Sequence, residues 1–173
     1  SLAMMVSKLT IRSDRWSDGH NSAKGVIENS EIGLSKAIGL ANEDATAFNS
    51  VMDAYKLPKS TENEQKIRKE AIRDSTLLAA EVPLETAEEA IVLLQSIATI
   101  SGNCNANALT DLASAAQLAQ ASLSIAGYNV RINLDGLEGE VSHSMNSRLE
   151  QIIDEADSNL SKILQDVSER LGW

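Results

Sequence analysis

An apolar stripe near the C-terminal end of the chain constrains the fold more than any other feature of the sequence. Apolar residues recur there at alternating spacings of three and four, which places them on one face of an α-helix. The stripe consists of Leu149, Ile152, Ile153, Ala156, Leu160, Ile163, Leu164 and Val167. It predicts a helix over residues 142–171 with one face buried against other elements.

Four further segments carry helical patterns. They are residues 2–12, 26–55, 61–101 and 107–127, the last running a little beyond Gly127. Thr61 and Glu64 have the spacing of a capping box, in which each side chain accepts a backbone N–H of the other residue. Pro83 interrupts the third helix because it has no N–H and its ring clashes with the preceding turn. We therefore expect a kink at Pro83, or a break into two helices.

Two stretches fit the helical pattern less well. SDRWSDGHNSAKG, before the second helix, is polar and indicates a loop or a frayed helix. YNVRINL, after Gly127, alternates apolar and polar residues as a strand does. Since no second strand is predicted to pair with it, we interpret this stretch as a helix end or an extended loop.

The composition agrees with a fold made only of helices. Aromatic residues make up 3% of the 173 residues, whereas Ala, Leu and Glu, which favour helices, are abundant. The chain contains no internal repeat and no linker that would divide it. These observations predict an all-α, single-domain helical bundle of about five long helices with a core of small aliphatic side chains.

Charge and cysteine content narrow the classes of function. The net charge is −10, which disfavours binding to nucleic acid or to an anionic membrane surface. The longest strongly apolar run covers about residues 90–100, too short to span a bilayer. Cys104 is the only cysteine, so there is no intramolecular disulfide and no cysteine-based zinc site. We expect a cytoplasmic protein.

The segment NEDATAFNSVMDAYKLPK, residues 42–59, contains the first candidate for catalysis. Asp44 precedes Phe48, the only phenylalanine, by four residues, so the two side chains share one helix face. A carboxyl group desolvated beside an aromatic ring has a raised pKa and suits acid–base chemistry. The alternative is that Glu43 and Asp44 are two solvated charges on a helix surface.

A second candidate, Asp111, lies in the least polar part of the chain. It begins a stripe that ends at Asn129: Asp111, Ala115, Leu118, Ser122, Ile125 and Asn129. The alternative for Asp111 is an acid in the first turn of a helix, where the helix dipole favours it. Asp111 and Asn129 are separated by about 27 Å along a helix axis, so a site that uses both needs a long ligand or a second subunit.

The histidines provide no comparable candidate. His20 and His143 stand alone, without a ligating partner three or four residues away. We predict no metal site.

Four stretches of the chain resemble one enzyme family, in order and at the expected spacing. They are MVSKLT, NEDATAFNSVMDAYKLPK, AAEVPLETAE, and NALTDLASAA with GYNVRINL. The chain is similar in these stretches to the formiminotetrahydrofolate cyclodeaminase and methenyltetrahydrofolate cyclohydrolase family. That family includes the C-terminal domain of formiminotransferase-cyclodeaminase and stand-alone microbial proteins. Its members usually have a Gly-rich, GGGS-like turn before the first helix, which this sequence does not contain.

The resemblance implies an all-α homodimer that acts on a tetrahydrofolate derivative without a metal or redox cofactor. The cyclodeaminase releases ammonia from the 5-formimino group as the 5,10-methenyl bridge closes. The cyclohydrolase adds water to that bridge. Both reactions pass through a tetrahedral carbon between two nitrogens, and no residue selects between them. The alternative from another class is a non-catalytic helical interaction module that retains the fold.

The resemblance also assigns roles to individual residues. Asp44 matches the acid of the acid–Phe segment and takes the acid–base role. Asp111 matches the acid of the fourth helix, and Asn129 and Asn133 match asparagines at its exit. These three are expected to position the substrate, and Arg131 to meet the folate carboxylate.

Overall fold

The computed structural model describes all residues from Ser1 to Trp173 and contains helices and turns but no strand. The five α-helices are α1 (Leu2–Ile11), α2 (His20–Lys56), α3 (Glu62–Ile100), α4 (Leu109–Leu134) and α5 (Glu140–Leu171). The predicted all-α bundle of five helices is confirmed. None of these helices combines the length and the hydropathy that crossing a bilayer demands.

Helix α3 is the centre of the bundle. It packs against α2 on one side, α4 on another and α5 on a third, while α1 packs against α2 and α4. The buried core consists of aliphatic side chains, alanines and Cys104, with no aromatic ring. The largest fully buried side chains include Leu94, Ile97, Ile100, Leu112 and Leu123. The prediction of a core of small aliphatic side chains is therefore confirmed.

The start of α3 follows the predicted capping box. Thr61 Oγ1 accepts a hydrogen bond from the Glu64 N–H at 3.2 Å, and Glu64 Oε2 accepts from the Thr61 N–H at 2.9 Å. The alternative of a break at Pro83 is wrong, because α3 continues through this residue as one helix. The kink at Pro83 stays a prediction.

The polar stretch before the second helix is more ordered than predicted. Residues Asp14–Gly19 form a 3-10 turn, and α2 begins at His20 instead of residue 26. Ala23 and Val26 are buried three residues apart on the first turns of α2, which packs here against α1. The polar residues around Ala23 concealed this apolar pair in the sequence.

The alternating stretch YNVRINL belongs to α4, which ends at Leu134. Val130 and Leu134, four residues apart, are both buried, whereas the residues between them are exposed or half-buried. The helical spacing of these two residues decides the structure, so the extended alternative is wrong.

Candidate active site

A groove of about 500 Å³ lies between α2, α3 and α4. Pro83 and Thr86 of α3 form its floor, because α3 lies between the other two helices. One wall comes from α2 and the other from α4. The walls consist of Ala37, Leu40, Ala41 and Asp44 of α2 and of Leu118, Ala121, Ser122, Ile125, Ala126 and Asn129 of α4. The groove is mainly apolar with a few polar groups, as small-molecule sites usually are.

Asp44 is the only ionisable residue that lines the groove. It shares a face of α2 with Ala37 and Ala41, at spacings of three and four residues, and this face forms the wall. Asp44 is exposed, and none of the ion pairs in the structure includes it. A carboxylate with no ionic partner, on an apolar wall, is available to a cationic ligand.

Glu43 lies in a different environment from its neighbour Asp44. It belongs to an acidic cluster between α2 and α3 that includes Glu85, Glu88, Glu89 and one cation, Lys36. Burial raises the pKa of Glu85, and the nearby carboxylates of Glu43, Glu81 and Glu88 raise it further. The two adjacent acids therefore differ, since only Asp44 lines the groove.

Phe48 lies one helical turn beyond Asp44 on α2. The Phe48 side chain is 63% exposed and does not line the groove. It is one of several large apolar side chains that are exposed on α2 and α4.

Asn129 faces Asp44 from the opposite wall. Its Nδ2 donates to the carbonyl oxygen of Ile125, 3.3 Å away in the same helix, and its side chain is exposed to the groove. Leu118, Ser122, Ile125 and Asn129 form the groove wall in the order of the predicted stripe. The structure thus brings together Asp44 and Asn129.

The other three predicted site residues lie outside the groove. Asp111 is half-buried in the first turn of α4, as in its non-catalytic alternative, at the opposite end of the helix from Asn129. Arg131 forms an exposed ion pair with Glu150 of α5 at 2.7 Å. Asn133 Nδ2 donates to the carbonyl oxygen of Ala79 in α3 at 2.7 Å. The predicted contacts of Asp111, Arg131 and Asn133 with a substrate stay predictions.

Comparison with known proteins identifies the family. The model of the formiminotransferase-cyclodeaminase family matches residues 1–163. The chain belongs to this family. The resemblance predicted from the four sequence stretches is therefore confirmed.

Relatives within the formiminotransferase-cyclodeaminase family differ in length and in name. The chain is 30% identical over 173 residues to the methenyltetrahydrofolate cyclohydrolase of Methylorubrum extorquens, covering 99% of this chain and 83% of the relative. It is 26% identical over 171 residues to the formimidoyltransferase-cyclodeaminase of Mus musculus, of which it spans 32%. The crystal structure of the formiminotetrahydrofolate cyclodeaminase from Thermotoga maritima has a TM-score of 0.76 and 25% identity. That likeness covers 99% of this chain and 80% of the Thermotoga chain.

Pro83, Thr86 and Ser122 are among the groove residues that were not predicted as site residues. Pro83 and Thr86 line the floor, three residues apart on one face of α3, within the AAEVPLETAE stretch that resembles the family. Thr86 Oγ1 donates to the carbonyl oxygen of Val82 at 3.1 Å. Ser122 lay on the predicted stripe between Asp111 and Asn129. Their spacing of three residues indicates that Pro83 and Thr86 share one helix face. Only the packing of α3 between α2 and α4 shows that this face lines the groove.

Proposed function

We propose that this chain is a folate one-carbon enzyme that hydrolyses the 5,10-methenyl bridge of tetrahydrofolate, the cyclohydrolase reaction. The observation that carries the proposal is the groove itself. It presents one carboxylate, Asp44, on an otherwise largely apolar surface, opposite the amide of Asn129. The methenyl group is an amidinium cation between the pterin and the aminobenzoyl ring, and the groove complements it with one carboxylate and an apolar surface for the rings.

The comparisons support this choice among the family's reactions. The relative named as a cyclohydrolase has 30% identity and a similar length, since the chain covers 83% of it. The cyclodeaminase reaction is the second candidate. It is favoured by the names of the mouse relative and of the Thermotoga protein.

Asp44 performs the proton transfers in the proposed mechanism. As a general base it accepts a proton from water while the water oxygen bonds to the methenyl carbon. The tetrahedral carbon then breaks its bond to N5 as Asp44 returns the proton to that nitrogen, and its hydroxyl group releases the remaining proton to solvent as the formyl C=O bond forms. The product carries a formyl group on N10. General acid–base catalysis of this kind contributes about 10²- to 10⁴-fold to a rate.

The negative charge of Asp44 has a second effect. In the ground state the Asp44 carboxylate attracts the positively charged amidinium group. As water adds, a proton passes to Asp44 and the folate carbon loses its positive charge, so the net charge in the groove stays at zero. No electron is gained or lost in either reaction. We propose that neither a metal nor a redox cofactor is needed.

We further propose that the active form is a homodimer in which a second copy covers the groove. Large apolar side chains are exposed on both flanks: Leu34 (58%), Ile38 (64%) and Phe48 (63%) on α2, and Leu118 (64%), Ile125 (60%) and Tyr128 (68%) on α4. Large apolar side chains clustered on a surface often mark an interaction site. A partner over this face would desolvate Asp44, and it is the arrangement in which Asp111 of one copy could reach the substrate of the other.

Size-exclusion chromatography with light scattering tests the homodimer. Ile38→Glu places a charge on the proposed interface without altering the groove lining, so we expect wild type to elute as a dimer and the variant as a monomer. Val141→Glu is the control, because Val141 is also exposed (51%) but lies on α5, which does not pack against α2. A monomeric wild type at assay concentrations would contradict the proposal.

Two spectrophotometric assays test the reaction itself. One follows the loss of 5,10-methenyltetrahydrofolate absorbance above its spontaneous rate, and the other follows ammonia release from 5-formiminotetrahydrofolate. We expect activity in the first assay. Activity in the second alone would identify a cyclodeaminase, and activity in neither would favour the non-catalytic interaction module.

A further inference from the structure

The groove floor contains a defect in the hydrogen bonding of α3. In an α-helix the carbonyl of residue i accepts from the N–H of residue i+4. Pro83 has no N–H, so the carbonyl of Ala79 lacks its helical donor. Ala79 is 8% exposed, which leaves little access for water. A buried carbonyl without a donor is costly, so a replacement donor is needed at this point.

Asn133 of α4 supplies that donor. Its Nδ2 lies 2.7 Å from the Ala79 carbonyl oxygen. This is the only hydrogen bond between α3 and α4. The neighbouring residue Leu134 is buried, so the end of α4 is also packed against the core.

The bond lies next to the candidate active site. Pro83 forms part of the groove floor, and Asn129, four residues before Asn133, forms part of the wall. Residues four apart lie on one face of a helix. The same face of α4 therefore lines the groove at Asn129 and contacts α3 at Asn133. The contact is with the turn of α3 from Ala79 to Pro83, which we call the proline turn. The bond between Asn133 and Ala79 therefore joins α4 to α3 close to where the groove floor and wall meet.

We propose that Asn133 is a positioning residue that acts through the proline turn of α3 and does not contact the substrate. Its amide replaces the N–H that Pro83 lacks and thereby sets the placement of Asn129 and the groove floor relative to Asp44. The inference rests on the proposed function, since it specifies how the groove of that enzyme keeps its geometry.

A double-mutant cycle between Asn133 and Pro83 tests the proposal. Asn133→Ala removes the donor and leaves the Ala79 carbonyl unpaired. Pro83→Ala restores a backbone N–H at position 83, which pairs with that carbonyl and makes the Asn133 amide redundant. The four proteins are wild type, the two single variants and the double variant. Thermal unfolding and kcat/KM for the folate substrate are measured for each, with the kinetics well below every Tm.

Removing the Asn133 amide should have its full effect when Pro83 is present. We expect Asn133→Ala to lower Tm by about 3–8 °C, from the cost of an unpaired buried carbonyl in a chain of this size. We expect it to lower kcat/KM by about 10- to 100-fold, because misplaced groups at a site lose rate steeply. Adding Asn133→Ala to Pro83→Ala should change neither quantity further. Asn159→Ala is the control, since that amide only contacts Glu155 within its own helix.

Each other outcome overturns part or all of the proposal. An equal loss of kcat/KM in both backgrounds would show that Asn133 contacts the substrate. A fall in Tm with unchanged kcat/KM would reduce Asn133 to a structural residue. An inactive wild type would instead refute the proposed function. The Tm cycle, together with the binding of 5-formyltetrahydrofolate to the four proteins, would then decide on the role of Asn133.

Discussion

Replacement of Arg170 should destabilise the fold more than replacement of any surface arginine. The guanidinium group of Arg170, near the end of α5, lies against the C-terminal end of α3. It donates to the carbonyl oxygens of Ser101, at 2.7 Å, and Cys104, and it contacts Cys104 Sγ at 3.2 Å. Ser101 and Cys104 have 0% exposure, so water cannot replace the lost donor. The same group lies 5.8 Å from the centroid of the Trp16 ring.

The magnitude follows from these two carbonyls. A hydrogen bond from a charged donor contributes about 1.5–3 kcal/mol, and an unpaired buried carbonyl costs a similar amount. Arg170 itself is half-exposed, which reduces the sum, so we expect Arg170→Ala to cost about 3 kcal/mol. For a chain of this length that corresponds to a fall in Tm of about 6–12 °C.

Thermal unfolding followed by circular dichroism at 222 nm measures this change, with all proteins at one concentration. Arg148→Ala is the matched control, since it removes the same charge. The Arg148 ion pair with Glu88, at 2.8 Å, is largely solvated and contributes less than about 1 kcal/mol. Its Tm should fall by less than about 3 °C. Equal shifts for the two variants would refute the reasoning that the buried carbonyls determine the cost.

Two further predictions concern stability. A Cβ at Gly19 would lie 2.5 Å from the Asn103 carbonyl oxygen, whereas one at Gly25 meets no atom within 4 Å. In a urea titration, Gly19→Ala should therefore lower the free energy of unfolding by about 1–3 kcal/mol. Gly25→Ala, within α2, should leave it unchanged or raise it. A larger loss for Gly25→Ala than for Gly19→Ala would contradict this packing. Burial alone would raise the pKa of Asp166, but hydrogen bonds from Lys162 and Ser101 outweigh it and lower that pKa. Because the pKa is lower in the folded state, ionised Asp166 stabilises the fold at pH values above its ordinary pKa of about 4. This stabilisation is lost as the pH falls through the pKa of the folded state. The stability difference between wild type and Asp166→Asn should accordingly shrink from about pH 5 to pH 3, and a constant difference would exclude this linkage.

The sequence predicted those features of the fold that depend on local pattern. The stripe that includes Leu149 and Ile163 predicted α5, and Thr61 with Glu64 predicted the start of α3. The start of α2 at His20 was missed because its apolar residues are few and separated by polar ones. Local propensity is weak there, and packing against α1 decides the structure.

The candidate site was predictable only in part, because its geometry is non-local. Asp44 and Asn129 were both identified, yet no pattern showed that they face one groove. The bond from Asn133 to Ala79 joins residues 54 positions apart. A missing N–H at Pro83 signals that a donor is needed, but only the packing of α4 against α3 shows which residue supplies it.

The activity of Asp44→Asn compared with Glu43→Gln tests the central claim most directly. Both variants remove one of two adjacent carboxylates, but only Asp44 lines the groove. With 5,10-methenyltetrahydrofolate as substrate, we expect Asp44→Asn to lower kcat by at least about 100-fold while its Tm stays within about 2 °C of wild type. Glu43→Gln should retain most of the activity. Full activity of a folded Asp44→Asn protein would contradict the proposed role of the groove and of its single carboxylate.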